Sequence, residues 1–240
     1  VHSSPLDAPE DLESVAAYFN AWENYQQVIQ HNYMEHLEIT QILHQYLQTY
    51  YLFPFSFLDL GCGDANFACH LLRDLPFTNY LGVDLAQTAL QLAAENMSQF
   101  NHAISLQQQE ILDFLASSSQ QFDIILSAFS IHHLSSPQKE YYFQQVHNHL
   151  KQGGVLLFVD VFLQQAENRP DYLQRYSDNI HQYWQKLTLE VKQSIIDHVV
   201  ASDYPEWELS IREWAKKAGF EKIELLYQGG RDTQKILAMS

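Results

Sequence analysis

The chain has 240 residues and sets 13 Lys and Arg against 29 Asp and Glu, a formal net charge of −16 that repels polyanions and argues against a nucleic-acid partner. Its length suits one α/β domain with a modest accessory element, and two cysteines, Cys62 and Cys69, give no disulfide framework. No apolar stretch approaches the ~20 residues of a membrane span, and no basic region followed by an apolar one opens the chain, so a soluble cytoplasmic protein is expected.

Residues 10–50 carry helical periodicity (Val15, Phe19, Trp22, Val28, Tyr33, Leu37, Ile42, Leu43, Leu47), which predicts two or three helices ahead of the first strand. Only residues 1–8 read as a disordered tail. The run Phe57–Leu60 predicts a buried strand, and Phe67, Leu71, Leu72 and Leu75 predict the helix after it. Between them lies Asp59-Leu60-Gly61-Cys62-Gly63-Asp64, an acid at a strand end followed by two glycines. Glycine lets a backbone approach a ligand closely, which suits a nucleoside cofactor. Asp59 repels a pyrophosphate and attracts a cationic amine or sulfonium, which favours S-adenosylmethionine over NAD. Cys62, between the glycines, reads as packing.

Further strands are predicted at 80–84, ending in Asp84, at 104–108, at 122–127 and at 155–161, with helices at 87–100 and from Pro137 to Leu150, the last ended by the turn Lys151-Gln152-Gly153-Gly154. Strands and helices alternating at this spacing predict a doubly wound parallel sheet. Residues 162–209 break the pattern with Tyr172, Tyr176, Tyr183, Trp184, Tyr204 and Trp207, and read as an inserted helical cap. Ser210 to Glu213 reads as a capping box opening a helix that stops at Gly219. Two strands, 222–227 and 234–239, close the chain.

In this order the motifs resemble those of class I S-adenosylmethionine-dependent methyltransferases over roughly residues 50–240. The resemblance rests on Asp59 to Gly63, Asp84, Glu110, Phe122-Asp123-Ile124-Ile125, Ser130-Ile131-His132-His133-Leu134 and Leu150 to Gly154. It implies a seven-stranded sheet, mostly parallel with an antiparallel last strand, preceded by an N-terminal helical lid (1–50). It also implies that Gly61, Cys62 and Gly63 approach the methionine part of the cofactor and that Asp59 faces its ammonium. Asp84 would hold the ribose hydroxyls, Leu85 would pack on adenine, and Glu110 with the Ile111 N–H would meet the adenine edge. Ser127 would close the floor under the sulfonium, and Tyr33 would lie over the cofactor. Asp123 stands away from the cofactor. Ala65 replaces a third glycine, a change that costs little if its backbone is helical.

Alternatives stand beside several of these. Asp84 could cap the next helix, Glu110 could be a solvated acid, and the N-terminal aromatics could be core contacts. Asp203 could cap a helix with Pro205 in its first turn, or line the acceptor pocket with Tyr204. His132 and His133 are candidate bases, while metal ligation is not expected, because neighbouring side chains seldom converge and no third ligand has a defined spacing. In the cap, Tyr172, Arg175, Tyr176 and His198 are candidate acceptor contacts. The expected function is methyl transfer to a small molecule by in-line displacement; a non-catalytic scaffold of the same fold, or an enzyme acting on a protein, is the alternative.

Overall fold

The computed structural model describes residues 24–231 and 233–240. The expected helices at Val15, Phe19 and Trp22, and the tail at 1–8, lie outside them. The described residues form two compact units. The larger comprises 35–172 and 203–240, the smaller 24–34 and 173–202.

The larger unit is built on strands β1 (Phe55–Leu60), β2 (Phe77–Asp84), β3 (Ala103–Gln108), β4 (Phe122–Ala128), β5 (Leu150–Leu163), β6 (Glu206–Trp207), β7 (Ile223–Gln228) and β8 (Gln234–Met239). Seven of them run in the order β3-β2-β1-β4-β5-β8-β7, and β6 adds a two-residue pairing to the end of β5. Among the described strands β8 alone runs opposite to the rest, antiparallel to both β5 and β7. This is the predicted doubly wound sheet with one inverted strand.

Strand alternation sorts the core onto two faces. Phe55, Phe57 and Tyr80 pack with Leu43 and Leu47 of α2 (His36–Tyr50), Leu71 of α3 (Asn66–Leu71) and Ala93 of α4 (Gln87–Met97). Leu58, Leu60 and Phe158 face the other way, onto Phe114 of α5 (Ile111–Ser117), Tyr142 and Phe143 of α6 (Ser136–Asn148) and Ile211 of α9 (Glu208–Ala218). The weak apolar pattern of β3 follows from its place at the sheet edge, where its side chains alternate between exposed and half-buried.

Four local expectations change. The glycines after α6 do not end that helix, which stops at Asn148; they lie inside β5, where the register slips between Phe122–Leu150 and Ile124–Val155. Gly153 takes φ +79° there. α9 starts at Glu208 and not at a Ser210 capping box, since β6 delivers the chain straight into it and Glu208 forms an ion pair with Arg212 one turn on. No helix begins at Pro205, because residues 206 and 207 pair with β5. Ala65 is not helical: it is left-handed, at φ 54° and ψ 12°, so the methyl group carries strain that glycine would not.

The smaller unit holds α1 (described over 24–30), most of α7 (Arg169–Tyr183) and α8 (Leu189–Ser202). Tyr33 stacks on Trp184, with ring centroids 5.0 Å apart, and accepts a hydrogen bond from the Lys186 N–H. Tyr176 meets the same Trp184 edge-on, and Asn24 donates to Ser194 Oγ. No described helix is long and apolar enough to cross a membrane.

Candidate functional site

Ligands of doubly wound sheets sit outside the carboxyl ends of the strands. At the end of β1 the chain turns through Gly61 (φ 76°) and Gly63 (φ 54°), left-handed conformations that favour glycine. A Cβ on Gly61 would stand 2.5 Å from Ser130 Cβ and 3.5 Å from Ile111 Cδ1, so the start of α5 and the loop after β4 close against this turn. Ser130 Oγ in turn donates to the Leu60 carbonyl.

The N–H groups of the turn are occupied. Gly61 and Cys62 both donate to the Val83 carbonyl, at 2.8 and 3.1 Å, and Gly63 donates to Asp84 Oδ2 at 2.8 Å. A pyrophosphate needs those donors, whereas a cation needs acceptors. Asp59 supplies one: it is buried and accepts from Tyr80 Oη at 2.8 Å. Burial pushes its carboxyl up to about 7, which the Tyr80 hydrogen bond opposes and the neighbouring Asp84 and Asp64 reinforce. Burial likewise pushes the Cys62 thiol far up, which suits packing and not nucleophilic attack.

Asp84 also accepts from the Ala86 N–H through Oδ1, so one carboxylate ties the glycine turn to the start of α4. It retains lone pairs for a further partner. Beside it Leu85 is 68% exposed, an apolar side chain at the rim of the strand ends. Glu110 Oε2 caps α5 through the Leu112 and Asp113 N–H groups, and Ile111 opens that helix. Ser127 turns inward from β4 to share a hydrogen bond with Tyr142 Oη, 2.5 Å away.

Across the sheet end, a second cluster forms where β4 and β5 finish. Asp160 accepts from the Ile131 and His132 N–H groups through Oδ2, capping the 3₁₀ turn Ile131–His133, and its Oδ1 lies 2.5 Å from His132 Nδ1. The other ring nitrogen of His132 is 3.6 Å from Asp203 Oδ1, and His133 Nδ1 is 4.0 Å from the same oxygen. Burial opposes a charged His132, but the carboxylates of Asp160 and Asp203 outweigh it and hold the imidazole above its usual range. Tyr172 Oη donates to Asp203 Oδ2 at 3.4 Å, Arg169 Nε donates to the Asp203 carbonyl, and the Arg169 guanidinium lies 4.5 Å over the Tyr204 ring. Behind His132 is a cavity of about 10 Å³ lined by Lys139, Asp160 and Glu206, the lower limit of space for a water.

The structure therefore brings His132, His133, Tyr172, Asp203 and Tyr204 together, and of the two sequence readings of Asp203 it excludes the helix cap. Arg175 is half-buried, Tyr176 is buried and His198 is exposed; these three, with Tyr33, belong to the smaller unit. Sequence reasoning missed the part played by Asp160, although a lone acid between Val159 and Val161 in an apolar strand was a signal. It also missed Tyr80 and His36. The His36 ring lies 5.1 Å from that of Phe129, just past β4, and burial pushes its imidazole down to about 4.

A family model described as a methyltransferase domain matches residues 57–154, which span the glycine turn, Asp84, Glu110 and the paired histidines. Residues 57–154 match a methyltransferase domain, and the fold around them is that of S-adenosylmethionine-dependent methyltransferases. A solved methyltransferase of Clostridium acetobutylicum shares its fold, with a TM-score of 0.63 at 15% identity over 92% of this chain and 98% of that one. Human N-acetylserotonin methyltransferase, solved with its cofactor, gives a TM-score of 0.53 at 17% identity over 77% of this chain. This chain spans about half the length of that enzyme, 47% of it. A protein of Campylobacter jejuni named carboxy-S-adenosyl-L-methionine synthase is 24% identical over 94% of this chain and 92% of its own.

Proposed function

We propose that the protein moves the sulfonium methyl of S-adenosylmethionine to a small acceptor placed beside His132, His133 and Asp203. The observation that carries this reading is the inward turning of the Gly61, Cys62 and Gly63 N–H groups next to buried Asp59, which gives a cationic donor acceptors and denies a dinucleotide its donors. In this reading Asp59 faces the donor's ammonium and Asp84 takes the ribose hydroxyls on its remaining lone pairs. Leu85 is covered by adenine, Glu110 and the Ile111 N–H meet the adenine edge, and the backbone at Ser127 lies under the sulfonium.

The activated methyl group asks for alignment and exclusion of water more than for a catalytic group. His132, held by Asp160, is placed to take a proton from an acceptor hydroxyl. The acceptor's lone pair forms the new bond to the methyl carbon while the carbon–sulfur pair returns to sulfur, giving S-adenosylhomocysteine.

A second reading is favoured by the match to the Campylobacter jejuni protein over 94% of this chain and 92% of its own: the donor's methyl carbon loses a proton and takes up the carbon dioxide released by a second, decarboxylating metabolite, so that the donor leaves as a carboxylated sulfonium. One experiment separates the two. Incubation with S-adenosylmethionine and a pool of small metabolites, followed by mass spectrometry, should yield S-adenosylhomocysteine and an acceptor heavier by one methylene. A carboxylated sulfonium would support the second reading instead. If neither S-adenosylmethionine nor S-adenosylhomocysteine binds at millimolar concentration in calorimetry, both readings fail.

A further inference from the structure

His132 and His133 are adjacent in sequence, and in an extended segment they would point apart. The 3₁₀ turn that Asp160 caps holds them together, with ring centroids 4.0 Å apart. Both present a nitrogen to the same oxygen of Asp203, which arrives from a segment 70 residues further on. Among the described residues these three donors all lie within 4.8 Å of one another. Donors on one tetrahedral ion stand roughly 3.4 Å apart, as bonds of about 2.0–2.1 Å require. The observed 3.6 and 4.0 Å separations are close to that, and the His133 side chain, 41% exposed, has room to adjust.

The surroundings fit as well. A metal-bound histidine typically gives its second N–H to a carboxylate, which fixes the ring and raises its basicity. Asp160 stands 2.5 Å from His132 Nδ1 and leaves Nε2 facing Asp203. Tyr172 Oη holds the other Asp203 oxygen, so this ligand is oriented too. His132 and Asp203 are buried whereas His133 opens to solvent, which gives an ion a way in.

We propose that His132 Nε2, His133 Nδ1 and Asp203 Oδ1 bind one divalent ion of the zinc type. Two imidazoles with one carboxylate suit such an ion better than magnesium or calcium, which prefer sets of oxygens. Three protein ligands leave a coordination position open. An acceptor oxygen fills it, and the ion then takes over from His132, whose Nε2 is a ligand and accepts no proton, by lowering the proton affinity of that oxygen; this role rests on the methyl-transfer reading above, whereas ion binding itself does not.

The test uses the whole chain, stripped with a chelator and titrated with Co²⁺, whose visible bands report nitrogen and oxygen ligation. One ion per chain should bind with the bands of a four- or five-coordinate site, and Zn²⁺ should displace it. His133→Gln and Asp203→Asn should each weaken Co²⁺ at least tenfold, and His70→Gln, at an exposed position of α3, should not. Thermal melts in chelator show whether each variant is folded; should Asp203→Asn unfold, His133→Gln carries the test, its residue being half-exposed. Absence of stoichiometric binding, or equal binding by His133→Gln and the parent, overturns the site. S-adenosylmethionine affinity, measured in chelator, is the separate readout: if it persists when Co²⁺ fails to bind, the metal site alone is wrong.

Discussion

Asp59 and Asp160 are both buried acids in apolar strands, yet they lie on opposite faces of the sheet and do different work. Asp59 faces the side of α2, α3 and α4, and its hydrogen bond comes from a Tyr80 hydroxyl on the neighbouring strand. Asp160 faces the side of α6 and α9 and accepts three N–H groups, of Ile131, His132 and Val161, besides facing the His132 ring. With one hydroxyl against full burial, Asp59 is held close to neutrality. With so many donors, Asp160 is a fixed anchor for a turn. A carboxylate's surroundings set its role, and the period-two alternation of a strand decides which surroundings it meets.

A third acid shows what neither site is. Asp123, at the other end of β4, accepts from Ser56 N, Ser56 Oγ and Lys151 Nζ, and these hold its carboxyl below the usual range against its partial burial. It ties strand starts together, away from the ligand end.

The comparison can be broken at its strongest point first. Gly61→Val puts a branched side chain at φ 76°, against Ser130, and should cost about 2–5 kcal/mol of stability and abolish donor binding, as thermal unfolding and calorimetry would show. Asp160→Asn should cost about 1–3 kcal/mol by weakening charge-assisted bonds to the 131–133 turn. Turnover should fall far more than donor affinity, and equal losses in both would mean that the two clusters are one.

Asp59 gives a signed pH effect. Its carboxyl sits near 7 in the folded chain and near 3.8 when free, so between those values the unfolded state sheds a proton that the folded state keeps. Its contribution to stability therefore declines as pH rises through that window and levels off above about 7. A cationic donor needs the ionised form, so its affinity should drop about tenfold per pH unit below about 7. Asp59→Asn should flatten that slope in calorimetry from about pH 5.5 to about pH 8; an unchanged slope would place the ammonium elsewhere. The smallest effect concerns Ala65. Ala65→Gly relieves a left-handed alanine and should raise stability by about 0.5–1 kcal/mol, with donor affinity little changed.

Much of the donor end was legible because its parts are local. Asp59, Gly61 and Gly63 fall within five residues, and Asp84 and Glu110 each follow a strand whose end can be seen in the sequence. What remained hidden there was the direction of the N–H groups, which depends on the Val83 carbonyl across the sheet. The acceptor end was legible only as single residues. The pairing of His132 and His133 looked unsuited to a common ligand because an extended backbone would part them, and the cap that holds the turn comes from Asp160, 28 residues away.

The sequence by itself determined the alternation of strands and helices and favoured a sulfonium donor, since periodicity and a glycine turn act over a few residues, while the inverted last strand was implied only by the resemblance of its motifs to the methyltransferases. Only the tertiary structure decided that Asp203 meets the two histidines instead of capping a helix, because β6 pairs with the end of β5 and takes residues 206 and 207 away from helical geometry. That pairing is non-local, and no spacing in the chain encodes it.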